Sequence, residues 1–129
     1  MVNRKNLKKK YALVSVYNKS KLQILCKSLK KYNYKIISTG STFKKIKSLG
    51  YDCYEISKLS KTKEILDGRV KTLNQKVFGS ILHLRKNTEH KKEFKSLKFP
   101  EINMVVVNLY PFEKISNKAD KDTKIEMID

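Results

Sequence analysis

Four apolar residues in a row, Met104-Val105-Val106-Val107, sit inside the stretch 102–108. A strand with one wet face alternates apolar and polar side chains. An unbroken β-branched run instead belongs to a strand covered on both sides, as in the interior of a parallel sheet. Parallel strands cannot be joined by a tight turn. They need a crossover of about a dozen residues or more, usually a helix. The rest of the chain supplies that alternation. Residues 11–16 (Tyr11-Ala12-Leu13-Val14-Ser15-Val16) predict a first strand, 35–38 a second around Ile36-Ile37, and 52–56 a short third. Between them, 20–32 carries Leu22, Leu25, Cys26, Leu29 and Tyr32 on one helical stripe, with Ile24 off it. A second helix is expected over 41–49, where Phe43, Ile46 and Leu49 stand three apart, and Gly50 is placed to end it in a left-handed conformation. Residues 76–85 fit a helix or a strand, with helix favoured. Residues 89–98 predict a polar-faced helix, 118–121 a loop, and Asp122 the start of a last helical turn. The fold class is therefore α/β, in one domain of 129 residues without repeats or a Gly/Pro-rich linker.

Several classes drop out. No apolar run nears the roughly 18 residues of a membrane span. The first ten residues are basic but lead into no apolar signal core, so no secretory signal is expected. Cys26 and Cys53 are too few for a disulfide scaffold or a four-cysteine zinc site, and both read as reduced, buried thiols of a cytosolic chain. The net charge of +18 is harder to interpret. Of 30 basic residues only Arg4, Arg69 and Arg85 are arginines, and no carboxylate precedes Asp52. Such a field would attract nucleic acid or an anionic metabolite. Readers of base sequence favour the arginine fork, however. A composition rich in Lys, Asn and Ile also follows from A/T-rich codons, leaving a solvated basic surface without a chosen partner.

Three segments can carry chemistry. Ser38-Thr39-Gly40-Ser41-Thr42 lies between a strand and a helix, where unpaired N–H groups and a partial positive charge meet a glycine and several hydroxyls. It reads equally as a phosphate cradle or as a Ser/Thr-capped turn. Asp67-Gly68-Arg69-Val70-Lys71-Thr72 puts two cations two residues apart, on one side if the segment is extended. The alternative is a solvated basic loop. Asn108-Leu109-Tyr110-Pro111-Phe112 ends the most apolar strand, and ligands of open α/β sheets bind outside such ends. Here the alternative is a proline-terminated strand with a packed aromatic pair. Asn18 and Lys19 sit at another strand end. His83 and His90, seven apart, are expected on the surface, and no Ser/His/Asp or Cys/His constellation can be assembled.

In order along the chain, Ala12-Leu13-Val14-Ser15-Val16-Tyr17-Asn18-Lys19, Ile36-Ile37-Ser38-Thr39-Gly40-Ser41-Thr42, Glu64-Ile65-Leu66-Asp67-Gly68-Arg69-Val70-Lys71-Thr72-Leu73 and Val105-Val106-Val107-Asn108-Leu109-Tyr110-Pro111-Phe112-Glu113-Lys114 resemble the IMP cyclohydrolase domain family. This is the N-terminal part of the bifunctional purine biosynthesis proteins that also carry an AICAR transformylase. Ile125-Glu126-Met127-Ile128-Asp129 resembles the start of the family's Glu-x-Ile-Asp-Ile-Gly-Gly segment. The resemblance implies a methylglyoxal-synthase-like three-layer fold with a mostly parallel sheet. It implies a basic tail over 1–10 and the domain over 11–129, cut short at its C-terminus and without the transformylase. It implies closure of a formamido-carboxamide ribotide to IMP, with Lys71, Tyr110 and Asp129 nearest the chemistry. Tyr17, Asn18, Lys19, Thr39, Gly40, Ser41, Thr42, Arg69, Val70, Thr72, Val107 and Asn108 would bind the substrate. Neither cofactor nor metal is implied. The partner would be the purine ribotide, with no specific nucleic acid, no membrane, a cytoplasmic location and a homodimer in the full-length enzyme. An inactive piece of the enzyme and a basic nucleic-acid-binding module stand as alternatives. Methylglyoxal synthesis ranks below them, because that enzyme's Gly-Gly-Asp-Gln-Gln-type segment is missing. The sequence departs from the family at Asn74-Gln75 (usually His-Pro), at Phe78-Gly79-Ser80 (usually His-Gly-Gly) and at Tyr17-Asn18 (usually Ser-Asp).

Overall fold

The computed structural model describes residues 8–111. The elements run β1 (Lys10–Val16), α1 (Leu22–Lys31), β2 (Tyr34–Ser38), α2 (Gly40–Ser48), β3 (Tyr54–Glu55), α3 (Ile56–Ser60), α4 (Gln75–Leu82), α5 (Thr88–Ser96) and β4 (Ile102–Asn108). The four strands form one sheet in the order β3-β2-β1-β4, and every pairing is parallel. The residues expected at 112, 118–122 and 129 lie outside the described ones.

Alternation along β1 makes the three layers. Ala12, Val14 and Val16 face one side and are buried with Ile36 against Leu22, Cys26 and Leu29 of α1 and Ile46 of α2. Leu13 faces the other side and is buried with Ile37 and Ile102 against Ile56 of α3, Val77 of α4 and Phe99. The α1 stripe is as expected, with Ile24 left outside, but Tyr32 caps the helix and is exposed, with the Lys31 ammonium 5.6 Å from its ring centre. Gly50 follows α2 at φ +85°, as its position predicted. Residues 76–85 resolve to helix α4, capped by Asn74, whose side-chain oxygen accepts the Lys76 N–H at 2.8 Å.

Three expectations need correction. The 102–108 strand is present, but among the described residues it is an edge, hydrogen-bonded to β1 alone. Met104, Val105 and Val107 are 37%, 44% and 57% exposed. An apolar run reports that a strand is suited to cover, not which neighbour covers it. Between Tyr11 and Ala12 the β1–β4 register slips by one residue, and the Asn103 side-chain oxygen accepts the Tyr11 N–H at 3.0 Å. The strand at 52–56 shrinks to Tyr54–Glu55, because Ile56 opens a helix and turns inward. His83 is buried rather than on the surface. It closes α4, stacks on Phe94 at 4.1 Å between ring centres, and its Nδ1 lies 2.7 Å from the Gly79 carbonyl. His90 lies on α5, where its Nδ1 accepts the Leu84 N–H. Arg85 then ties α4 to β4, donating to the carbonyls of Ser80, Ile81, His83 and Ile102 at 2.7–3.0 Å.

Candidate functional site

The carboxyl ends of β1, β2 and β4 border one cavity of about 480 Å³. β1 arrives as a polar-ended strand. The Ser15 hydroxyl lies 3.0 Å from that of Thr39 at the end of β2. Thr42, buried in the first turn of α2, both accepts the Val16 N–H at 3.2 Å and donates to the Val16 carbonyl at 3.1 Å. Thr39 occupies the N-cap position of α2, yet its side chain makes no capping bond. The first amides of α2 therefore keep their donors uncapped beside Ser41 and Thr42, which line the cavity.

β4 is fastened to β1 by a reciprocal amide clamp. Asn108 accepts the Asn18 N–H and donates to the Asn18 carbonyl, both at 2.9 Å. Asn18 in turn accepts the Ser20 N–H and so shapes the turn into α1. Beyond the clamp, the rings of Tyr17 and Tyr110 meet at 4.7 Å and close one side of the cavity. The Lys19 ammonium donates to the carbonyls of Val16 and Tyr17 at 2.9 and 3.2 Å. Burial pushes its pKa down, and the like charge of Lys71 adds to that. Lys19 and Lys71 thus both line a hollow whose described lining residues include no carboxylate, which favours an anion, although the Glu64 carboxylate stands near the start of α2.

Lys71 comes from a turn, not from an extended segment as the spacing suggested. Ile65 and Val70 exchange backbone hydrogen bonds at 3.1 and 3.4 Å around Leu66, Asp67 and Gly68, all at positive φ. The Lys71 side chain folds back over Gly68, where a Cβ would stand 2.9 Å from its Cε.

Of the residues anticipated for the site, Tyr17, Lys19, Thr39, Ser41, Thr42, Lys71, Thr72, Val107, Asn108 and Tyr110 line the cavity. Asn18 supports it from behind, Gly40 begins α2, and Arg69 and Val70 stay in the neighbouring turn. Asp129 lies outside the described residues. Sequence reasoning missed Ser15, although a lone hydroxyl inside the apolar 12–16 run was a visible signal. It also missed Glu64, whose two carboxylate oxygens lie 3.7 and 3.9 Å from where Cβ atoms would stand on Gly40 and Gly68. Among the described residues no three His, Cys, Asp or Glu side chains converge to hold a metal.

Comparison with known proteins gives a consistent picture. The MGS-like domain family matches residues 21–129. The chain is 45% identical over 121 residues to the bifunctional purine biosynthesis protein PurH of Clostridium acetobutylicum, and 43% identical over 122 residues to that of Fusobacterium nucleatum. These alignments cover 93% and 94% of this chain but 24% of each relative, so the chain spans about a quarter of their length. Among solved structures, a crystal structure of ForH superposes with a TM-score of 0.70 at 28% identity, over 78% of this chain and 51% of that one.

Proposed function

This chain belongs to the MGS-like domain family, and from that premise we propose that its strand-end cavity binds a purine ribotide and serves the closure of a formamido-carboxamide ribotide to IMP. One observation carries the reading. The uncapped start of α2, Lys19, Lys71 and the Tyr17–Tyr110 pair border one hollow, and all come from segments that resemble the IMP cyclohydrolase domains, although Tyr17 itself stands where those domains usually have Ser.

The chemistry suits such a site. The 5′-phosphate would sit on the uncapped first amides of α2 and the Ser41 hydroxyl, where the helix end favours negative charge. The base would lie towards the Tyr17–Tyr110 pair. Ring closure forms a bond between the carboxamide nitrogen and the formyl carbon of the same molecule. That nitrogen is a poor nucleophile, because its lone pair is delocalised into the carbonyl. Holding the two groups together therefore supplies much of the acceleration. As the bond forms, negative charge grows on the former formyl oxygen, and the Lys71 ammonium is the group to stabilise it. The nitrogen gives up one proton, the oxygen takes one to become a hydroxyl, and elimination of that hydroxyl with the proton of the former formamido nitrogen releases water and forms the C=N bond. Asp129 would accept or orient the amide proton. No redox step or cofactor enters this balance. The reading carries with it a cytoplasmic location and a homodimeric parent enzyme.

Calorimetric titration with IMP is the test. Saturable heat from the chain, lost in Lys71→Ala and retained in Lys44→Ala, is expected. Absence of heat from a folded chain, or equal affinity in the Lys71→Ala variant, overturns the assignment.

A further inference from the structure

At the opposite end of the sheet a second cleft, of about 670 Å³, opens between the start of β1, the start of β4 and α5. Its one lining carboxylate, Glu101, is already engaged. The Lys8 ammonium donates to it at 2.8 Å and the Arg85 Nε stands 3.6 Å away, while the rest of the Arg85 guanidinium is taken up by backbone carbonyls. Four further ammonium groups line the cleft, those of Lys9, Lys91, Lys95 and Lys98, and none forms an ion pair with a described residue.

Their placement is not that of scattered surface lysines. Lys91 and Lys95 share one face of α5 at i, i+4 spacing, and Lys98, just past the helix end at φ +50°, lines the same cleft. Like charges at that spacing repel. By the same period, Glu89 and Glu93 fall on the other side of α5, and Glu89 is paired with Lys92 at 3.0 Å. The cleft floor is aromatic, with Phe94, Phe99 and Tyr11, over which lysine stems can lie while their heads stay in water. Among the described residues no carboxylate relieves these four cations, and a concave cationic surface of this kind attracts negative charge.

We propose that this cleft is a second anion site, taking several phosphates in a row and independent of the ribotide cavity. One phosphate cannot meet ammonium groups that run from Lys9, beside the start of β1, to Lys91 and Lys95 on α5 and Lys98 beyond it. A phosphodiester backbone or a free polyphosphate can. Lysines act as point charges without the arginine fork, so the site grips phosphate without reading bases.

Fluorescence anisotropy of a labelled single-stranded oligonucleotide, over a series of salt concentrations, tests this. Replacing Lys91, Lys95 and Lys98 together by Gln should reduce the log–log salt slope by about 2, at roughly 0.7 for each phosphate no longer neutralised. Replacing Lys27, Lys44 and Lys45 by Gln, also exposed, should leave it nearly unchanged. Lys71→Ala should leave it unchanged too. Thermal melts confirm that each variant folds. Equal losses from the two triple variants would mean diffuse surface charge and overturn the proposal. A loss in Lys71→Ala would place the binding in the ribotide cavity and overturn it as well. Competition by inorganic tripolyphosphate distinguishes the sources. Displacement of the oligonucleotide identifies a site open to free polyphosphate, and resistance identifies one fitted to the nucleic-acid backbone.

Discussion

Gly68 and Gly50 share a backbone conformation and differ in surroundings, which makes them a matched pair of perturbations. Gly68 has φ +81° and Gly50 φ +85°. An alanine at either position is forced into the left-handed region at a cost of about 1–2 kcal/mol. For a domain of this length each kcal/mol lowers the melting temperature by roughly 3–6 °C. The stability losses of Gly50→Ala and Gly68→Ala should therefore be similar. Around Gly50 nothing lies within 4 Å of the added methyl, so strain is the whole effect. At Gly68 the methyl would meet the Lys71 Cε at 2.9 Å and lie 3.6 Å from its Nζ. Ordinary carbon contacts begin near 3.5 Å, so the Lys71 arm must retreat by at least about 0.6 Å. A lysine tip moves at little cost in stability. A cation displaced from a ligand does not escape so lightly, and misplacements near 1 Å can cost up to about a hundredfold in activity. Thermal melts and IMP calorimetry on both variants read the two effects separately. Comparable melting temperatures are expected, with IMP affinity reduced about tenfold or more only in Gly68→Ala. Equal IMP affinity in the two variants would refute the idea that Gly68 exists to seat Lys71 against the ligand.

Other perturbations probe the frame. Thr42→Val should lower stability by about 1–3 kcal/mol, because the buried Val16 N–H loses its acceptor, and Thr42→Ser should restore most of the loss in a thermal melt. The Glu101 carboxyl is held below its ordinary value, chiefly by the Lys8 hydrogen bond, against the opposing effect of burial. Its contribution is thus present above the unfolded value of about 4.3 and is lost as pH falls through the lower folded value. The melting-temperature gap between the parent and Glu101→Gln should be open at pH 7 and close below about pH 4; a gap that widens in acid contradicts the sign. Burial pushes the Cys53 thiol up to about 12 and raises Cys26 as well. Burial thus disfavours both thiolates, so both cysteines should resist iodoacetamide in the folded chain and react in urea. Rapid labelling of Cys53 in the folded chain would contradict that environment.

Most of the layer plan is legible from local periodicity, because each stripe reports a face that must be covered. Leu22, Cys26 and Leu29 announce α1, and the break at Gly50 announces the end of α2. The strand-end motifs are legible for the same reason, since strands that end at Ser38 and Asn108 deliver the residues there to the carboxyl end of the sheet. What stays hidden depends on partners distant in sequence. Nothing in Met104-Val105-Val106-Val107 says that, among the described residues, β1 alone stands beside it. Nothing near His83 tells of Phe94. The turn at Leu66-Asp67-Gly68 asks two non-glycine residues to adopt positive φ, at 53° and 56°, against their local preference. The Ile65–Val70 backbone pairing closes the turn, and nothing in the residue types of 65–70 announces that pairing.

The basic surplus divides along similar lines. Lys30 and Lys31 end α1, and Lys45 and Lys47 end α2, where the negative end of each helix dipole welcomes a cation. Those lysines have a reason inside the fold. Lys95 has the same reason at the end of α5. Lys91 does not, for it stands in the first turn of α5, near the positive end that disfavours it, and beside a cleft whose one carboxylate is spent. Codon bias explains an abundance of lysine but not its concentration where the protein's own field opposes it. That residue, more than the net charge of +18, argues that part of the basic surface answers to an anion outside the chain. Lys91→Gln alone should then stabilise the free chain slightly while weakening oligonucleotide binding. A urea titration beside the anisotropy measurement decides it, and a variant that is both less stable and equally tight would remove the argument.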